Sequence, residues 1–244
     1  MTVAEKLLRA KQDLDEVFEA GKAQGGGGDS YYDTFWDSAK DTNGEISGFL
    51  IYCFGGLMWN DITFNPPCNI RPSYGANIFA QSKITDLKGI LERNNVTLDF
   101  SNCTNFNSIT EGATITRLPV IDTRGAKELR NFLYNAEKLV SVDKVILKDD
   151  GSQATMTNTF KLLPSLVEIR FEGVIGANVD IRDSVKLSAE SLNSIMTHLS
   201  TTATGVSVTL PPYDIVKATY DAVYGEGAWD ILAASKTNWT IAYS

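Results

Sequence analysis

Short strand-like segments recur along the second half of the chain, and several of them alternate apolar and polar positions. Alternation with a period of two is the pattern of a strand with one buried face. Between most of these segments lies a short amphipathic helix pattern. Units of this kind cannot bury their apolar faces alone and need a neighbour stacked on them. The strand-like segments are residues 96–100, 145–147, 167–171, 206–210 and 239–243.

The spacing of these segments predicts a repeat architecture. Val145 and Val167 are about 22 residues apart, which falls in the range of leucine-rich repeats. Helix patterns are predicted near residues 84–91, at 188–199, over 213–235, and around a set of four apolar residues, Leu129, Phe132, Leu133 and Leu139. Pro119, inside the strand-like segment 115–121, predicts an edge or an end of a sheet. The predicted fold class is α/β, an irregular leucine-rich-repeat solenoid over residues 84–244.

A helical, coiled-coil-like arm is predicted ahead of this body, over residues 1–24. Its apolar positions alternate in steps of four and three, which is the spacing of helices that wrap around copies of themselves. The alternative is a single amphipathic helix packed on its own domain. An isolated helix of this length is marginal in water, which favours a partner. The predicted oligomerisation residues are Val3, Leu7, Ala10, Leu14 and Val17.

Two further regions are predicted between the arm and the body. Residues 25–44 begin with four consecutive glycines, which act as a flexible hinge. Tyr32, Phe35 and Trp36 then share one face of a short helix. This face either anchors the arm to the body or docks on a neighbouring subunit. Residues 45–83, rich in glycine, proline and aromatic residues, are predicted to cap the open end of the repeat stack.

Composition narrows the possible partners. The formal net charge is −8 and the isoelectric point is about 4.7, so the chain repels phosphate backbones and nucleic acid is not an expected partner. No apolar run reaches the roughly 20 residues that span a bilayer, so no membrane span is expected. The N-terminus lacks the apolar core of a signal peptide, which predicts synthesis in the cytoplasm. Cys53, Cys68 and Cys103 have no CxxC spacing and are expected to be buried or inert thiols.

A search for catalytic residues finds weak candidates. His198 is the one histidine, and it is expected to be an ordinary helix residue. Carboxylate pairs remain, because a glycosidase needs two. They are Asp149 with Asp150, Asp180 with Asp183, and Asp99 on a predicted strand. The first pair is also the weak candidate for a calcium site, but it precedes Gly151 and is typical of a turn. No catalytic, cofactor-binding or metal-binding residue is predicted.

Aromatic residues near the C-terminus have two interpretations. Tyr213, Tyr220, Tyr224 and Trp229 lie close together in the sequence. Aromatic faces often hold carbohydrate, and three of these residues have helical spacing. The favoured interpretation is that they cover the last repeat.

Several motifs carry a resemblance to a known group of proteins. With segments such as residues 163–171, the region from about 84 to 244 resembles irregular leucine-rich-repeat proteins of the BspA-like kind. The tail, residues 187–196 followed by 237–241, looks like the ending of such proteins in phages and prophages of Gram-positive bacteria. Residues 19–22 and 32–37 also look like that group, in which a helical arm precedes the repeat body. Residues 45–82 depart from the pattern.

The resemblance implies a virion structural or appendage protein, such as a head or tail fibre, and no enzyme. Under this hypothesis the arm attaches or oligomerises the protein, with a homotrimer favoured by analogy with fibres. Other virion proteins are expected partners, and a host surface glycan or protein is the expected receptor. The alternatives are a bacterial surface adhesin and a glycan-active enzyme on a repeat scaffold.

Overall fold

The computed structural model of the protein describes residues 46–49, 69–127, 129–152 and 155–244. The predicted arm lies outside the described residues, and so do the hinge and most of the predicted cap. This applies to the predicted oligomerisation and docking residues, which are Val3, Leu7, Ala10, Leu14, Val17, Tyr32, Phe35 and Trp36.

The described chain is a mixed α/β fold with three small parallel sheets, ordered β1-β2-β3, β4-β5-β6 and β7-β8-β9. The strands are β1 Ile46–Phe49, β2 Asn69–Tyr74, β3 Thr97–Leu98, β4 Arg117–Asp122, β5 Ser141–Ile146, β6 Glu168–Glu172, β7 Val179–Asp180, β8 Val206–Leu210 and β9 Trp239–Tyr243. The helices are α1 Leu87–Arg93, α2 Ala189–Thr197, α3 Tyr213–Tyr224 and α4 Ala228–Ala234. One continuous hydrophobic core extends from Ile70 to Trp239.

Four turn segments stack on one another, and we call them the turn ladder. They comprise residues 75–82, 105–112, 129–136 and 155–162, and their backbone N–H groups donate to carbonyl groups of the next segment. Asn77 N donates to Asn107 O at 2.9 Å, and Asn131 N donates to Thr157 O at 3.0 Å. Backbone groups that a helix would pair internally are therefore paired between segments.

Each segment of the turn ladder has two left-handed residues four positions apart. Their φ angles lie between 54° and 66°. Asparagine tolerates this conformation better than most residues, and four of the eight positions are asparagine. The pairs are Asn77 and Gln81, Ser108 and Gly112, Asn131 and Asn135, and Asn158 and Leu162.

The helix predicted around Leu129, Phe132, Leu133 and Leu139 is wrong, because this region forms the third turn segment. All four side chains are buried. The left-handed backbone at Asn131 breaks any helix there. Phe132 N donates three residues back, to Leu129 O, as in a tight turn. The apolar spacing is real, but it comes from two consecutive turns.

A column of phenylalanine rings links the layers of the core. Phe100, Phe106, Phe132, Phe160 and Phe171 are in successive contact, with ring centroids separated by 5.4, 5.7, 6.5 and 5.5 Å. Three of the four contacts are edge-on, a geometry that the ring quadrupole favours. The column ties the first sheet, the turn ladder and the second sheet into one core.

The strand predicted over residues 96–100 is shorter in the structure, where β3 has two residues. Asp99 ends it, because its carboxylate accepts a hydrogen bond from Ser101 N at 2.9 Å and turns the chain. Pro119 lies in β4, at the edge of its sheet, as its missing N–H predicts. The turn ladder begins at Gly75, ahead of residue 84, which is the predicted start of the repeat body.

Helix α2 begins where its capping sequence predicts. The hydroxyl of Ser188 accepts from Ser191 N, as an N-cap residue does. The buried Ser191 hydroxyl accepts from Ile169 N at 2.9 Å and donates to Val167 O at 3.0 Å. Ser194 Oγ accepts from Phe171 N at 2.9 Å. Two serines of α2 thus satisfy the outer edge of β6, where a further strand would otherwise pair.

Helices α3 and α4 follow β8, with a break at residues 225–227, as the glycines there predict. None of the helices among the described residues is both long and apolar enough to cross a membrane.

Candidate functional site

A polar cleft of about 410 Å³ lies between the last segment of the turn ladder and the chain around β7. One wall is residues 155–158, the other is residues 177–180, and Ser207 and Thr209 of β8 complete the lining. This volume is within the range of small-molecule sites in proteins. We call it the Thr/Asn cleft.

The cleft lies where the turn ladder ends, beside its fourth segment. The two walls meet at one end, where Leu162 N donates to the Asp183 carboxylate at 3.0 Å and Ser184 Oγ donates to Leu163 O at 3.2 Å. No backbone hydrogen bond joins residues 155–158 to residues 177–180 in the described part of the chain. Among the described residues, the N–H groups of Met156 and Asn158, which continue the alternation of the ladder, donate to no acceptor.

The opposite wall also presents an unpaired edge. In β7, Val179 pairs with Val208 and Asp180 with Thr209, and Ile181 N donates to Thr209 O at 2.9 Å. Alternate residues of a strand face the same neighbour. The backbone groups of Asn178 and Asp180 therefore face away from β8, toward the cleft. Each wall thus presents backbone groups in addition to side chains.

The side chains of the cleft are mostly hydroxyls and carboxamides. Asn178 Oδ1 accepts from Ser207 N at 2.7 Å, and Asn158 Nδ2 donates to Asn131 Oδ1 at 3.2 Å. These bonds fix both carboxamides and leave Asn178 Nδ2 and Asn158 Oδ1 for other contacts. Thr155 and Thr157 are exposed. Met156 and Val179 are buried and give the cleft its apolar part.

The one charged side chain of the lining is paired. Asp180 accepts from Arg182 Nε at 2.8 Å, and this hydrogen bond raises the pKa of the Arg182 guanidinium. The two opposite charges of this ion pair largely cancel each other. The cleft offers many hydrogen-bonding groups with little net charge.

The carboxylates considered for catalysis are engaged elsewhere. The Ser101 hydroxyl and backbone N–H lower the pKa of Asp99, and Ser152 does the same for Asp150. A glycosidase acid needs the opposite shift, because it must stay protonated near neutral pH. Asp149 and Asp150 lie in a turn, as predicted. Asp183 holds the closed end of the cleft.

His198 and Cys103 have local structural roles. His198 is the C-cap of α2, and its Nδ1 lies 2.8 Å from Ser194 O. Cys103 is a buried free thiol whose Sγ donates to Asn105 O at 3.3 Å. Burial raises its pKa to about 11, so the reactive thiolate is scarce at neutral pH. Cys53 and Cys68 lie outside the described residues.

The C-terminal aromatic residues pack against one another. Tyr220 contacts Tyr224 and Trp229, with ring centroids 4.4 and 5.4 Å apart. Trp229 is fully buried, and its Nε1 donates to Tyr243 OH at 3.0 Å. Tyr213 contacts Tyr243 instead of the other two tyrosines, so the three do not form one common face.

Sequence reasoning missed the cleft. Its residues come from three separate segments, and threonine and asparagine are also ordinary turn residues. One signal was available, because three threonines alternate with other residues at 155, 157 and 159. In the structure, Thr155 and Thr157 are exposed while Thr159 is buried. The alternation alone could not separate these two environments.

No group of three or more His, Cys, Asp or Glu residues placed to hold a metal ion occurs in the described part of the chain. Comparisons of the chain with protein-family models, with curated proteins and with solved structures give no match.

Proposed function

We propose that the protein is a structural appendage of a phage particle, a fibre-like protein of the head or tail that serves host attachment. Its arm, residues 1–24, holds copies together, with a homotrimer favoured, or docks them on other virion proteins. Its body is an irregular leucine-rich-repeat solenoid that presents a binding surface. In this proposal the protein acts by binding and performs no catalysis.

The observation that carries the proposal is the turn ladder with its parallel strands. Consecutive segments repeat the same left-handed pair and bond to the next segment through the backbone. Stacked repeats of this kind are typically binding or structural devices, because they present a long side-chain surface on a rigid backbone. The phage assignment rests on the sequence resemblance.

The two alternatives have less support. An adhesin on a bacterial surface would use the same kind of body, but the resemblance of the tail and the arm is to phage proteins. A glycan-active enzyme needs a carboxylic acid that stays protonated, whereas the pKa values of Asp99 and Asp150 are lowered.

The test of this proposal is the solution mass of the full chain and of a chain that starts at Asp29, measured by light scattering after size exclusion. We expect the full chain to be an oligomer and the shortened chain a monomer, because the predicted apolar face of the arm is then absent. Two monomers would contradict an oligomerising arm.

Point variants make this test independent of truncation. Leu7→Asp with Leu14→Asp places charge on the predicted helix contact and should dissociate the oligomer while the body stays folded. Gln12→Asp adds one carboxylate on the opposite face of the predicted helix and should leave the mass unchanged. Equal behaviour of the two variants would show that the predicted contact does not hold the copies together.

A further inference from the structure

We propose that the Thr/Asn cleft binds a short, neutral saccharide. This inference rests on the proposed function, because it names the class of host-surface ligand that the body recognises. A sugar ring carries hydroxyl groups that donate and accept hydrogen bonds at close spacing, and the cleft offers both kinds of partner within one small volume.

The acceptors and donors come from different parts of the site. The available donors are the backbone N–H groups of Met156 and Asn158 and the side-chain Nδ2 of Asn178. Asn158 Oδ1 is an available acceptor. The hydroxyls of Thr155, Thr157 and Thr209 can act as either, and none of the three is bonded to a described residue. A ligand whose groups also act as either donor or acceptor satisfies such a mixed set.

The shape of the cleft distinguishes a saccharide from an extended peptide. A peptide strand needs a neighbour that runs alongside at about 4.8 Å over several residues. Here the hydrogen bond between Leu162 N and Asp183 joins the two chain segments just past the lining, so each wall is limited to four residues, 155–158 and 177–180. A saccharide ring needs less length than a paired peptide strand. Met156 and Val179 can contact the apolar C–H face of such a ring.

The charge of the site favours a neutral ligand. Arg182 pairs with Asp180, so no unpaired cation lines the cleft among the described residues, and the whole chain carries a net charge of −8. An acidic sugar would meet no counter-charge and would be repelled at long range.

The test is a titration of the full chain with neutral di- and trisaccharides of glucose, galactose, rhamnose and N-acetylglucosamine, followed by calorimetry and saturation-transfer NMR. A glucuronic-acid disaccharide and an alternating alanine–threonine peptide are included as probes of the other two ligand classes. We expect at least one neutral saccharide to bind saturably and the glucuronic-acid probe to bind more weakly.

The site is located with variants that keep side-chain shape. Thr155→Val with Thr157→Val removes two hydroxyls of the cleft, and we expect at least a tenfold loss of affinity. Thr240→Val, on the exposed surface of β9, is the matched control and should bind as the wild type does. Thermal melting checks that all three proteins are equally folded.

Three results would overturn the proposal. They are no binding by any neutral saccharide of the panel, binding that the double variant leaves unchanged, and binding of the peptide in place of the saccharides. None of these results bears on the mass measurement above, so failure of this inference is distinguishable from failure of the proposed assembly.

Discussion

At the scale of single residues, two buried threonines of the turn ladder differ in whether their hydroxyls are hydrogen-bonded. Thr110 is fully buried, and its hydroxyl has no hydrogen-bond partner in the described structure. The hydroxyl of Thr159, equally buried, donates to Leu129 O at 2.6 Å. A buried polar atom without a partner carries a desolvation cost, whereas a bonded one contributes to stability.

Replacement of each threonine by valine, which has the same shape, should therefore have opposite effects. Thr110→Val removes an unsatisfied hydroxyl and should raise the free energy of unfolding by about 1 kcal/mol. Thr159→Val removes one of the two hydrogen bonds to the Leu129 carbonyl, which keeps the bond from Phe132 N, and should lower the free energy of unfolding by about 1 kcal/mol. Urea unfolding of both variants measures the two changes. The explanation fails if Thr110→Val destabilises the protein as much as Thr159→Val does.

At the scale of elements, α2 shows how a helix can end a sheet. Ser191 bonds to both Ile169 N and Val167 O, and Ser194 accepts from Phe171 N. An uncovered strand edge is a template for pairing with another chain. Here hydroxyl groups occupy the backbone positions that a fourth strand would use.

Removal of the Ser191 hydroxyl should be costly. Ser191→Ala leaves the buried Ile169 N–H without an acceptor, whereas the Val167 carbonyl keeps its bond from Ser188 N at 2.9 Å. We expect a loss of ~1–3 kcal/mol in the free energy of unfolding, measured by chemical denaturation. Ser235→Ala is the matched control, because the Ser235 hydroxyl also donates to a backbone carbonyl, that of Leu232 at 2.6 Å, but at an exposed position. Water can replace that bond, so the control should stay within about 0.5 kcal/mol of wild type. A Ser191→Ala protein as stable as the control would mean that water also replaces the buried hydroxyl without cost.

The turn ladder explains which elements the sequence could predict. Its third segment buries side chains at positions i, i+3, i+4 and i+7, which are Leu129, Phe132, Leu133 and Ala136. This is also the pattern of an amphipathic helix, so hydrophobic spacing alone could not exclude one. The feature that distinguishes these turns from a helix is the presence of asparagines such as Asn131, which are typical of left-handed positions. Helix α2 was predictable, since apolar spacing and its serine cap agreed.

At the scale of the whole molecule, the last two helices are held together by one charge cluster. Lys217 Nζ donates to Asp221 at 2.6 Å and to Asp230 at 2.8 Å. Asp221 also accepts from Trp229 N at 2.8 Å, so a side chain of α3 caps the beginning of α4. Hydrogen bonds from Lys217 lower the pKa of both carboxyls, and the Asp pair raises the pKa of Lys217.

These shifts predict acid sensitivity at this end of the molecule. An aspartate whose pKa is lowered on folding contributes stability above its unfolded pKa, near 3.8, and loses that contribution as pH falls through the folded value. Asp221→Asn should therefore lower the melting temperature at pH 7, and the difference from wild type should shrink as pH falls below 4. Thermal melts between pH 2.5 and 7 measure this. Asp214→Asn, an exposed residue of the same helix, is the control, and a constant difference for Asp221→Asn across this range would contradict the linkage.

The whole-molecule organisation was predictable to a limited extent. Parallel α/β character followed from strand-like segments such as residues 206–210 and 239–243, which are β8 and β9. The Thr/Asn cleft was not predictable, because its lining joins residues 155–158, residues 177–180 and two residues of β8. The pairing of β7 with β8 that brings the last two together is a long-range contact that no local pattern encodes.

The bonding of the turn ladder has a consequence for how such a protein can change over evolution. Each segment bonds to its immediate neighbours, while the chain between equivalent residues varies, with successive intervals of 31, 23 and 27 residues along Asn77, Ser108, Asn131 and Asn158. Gain or loss of one whole layer therefore keeps the same kind of contact on both sides. The length of the turn ladder can therefore change during evolution in steps of about 4.8 Å, while the packing within each layer stays the same.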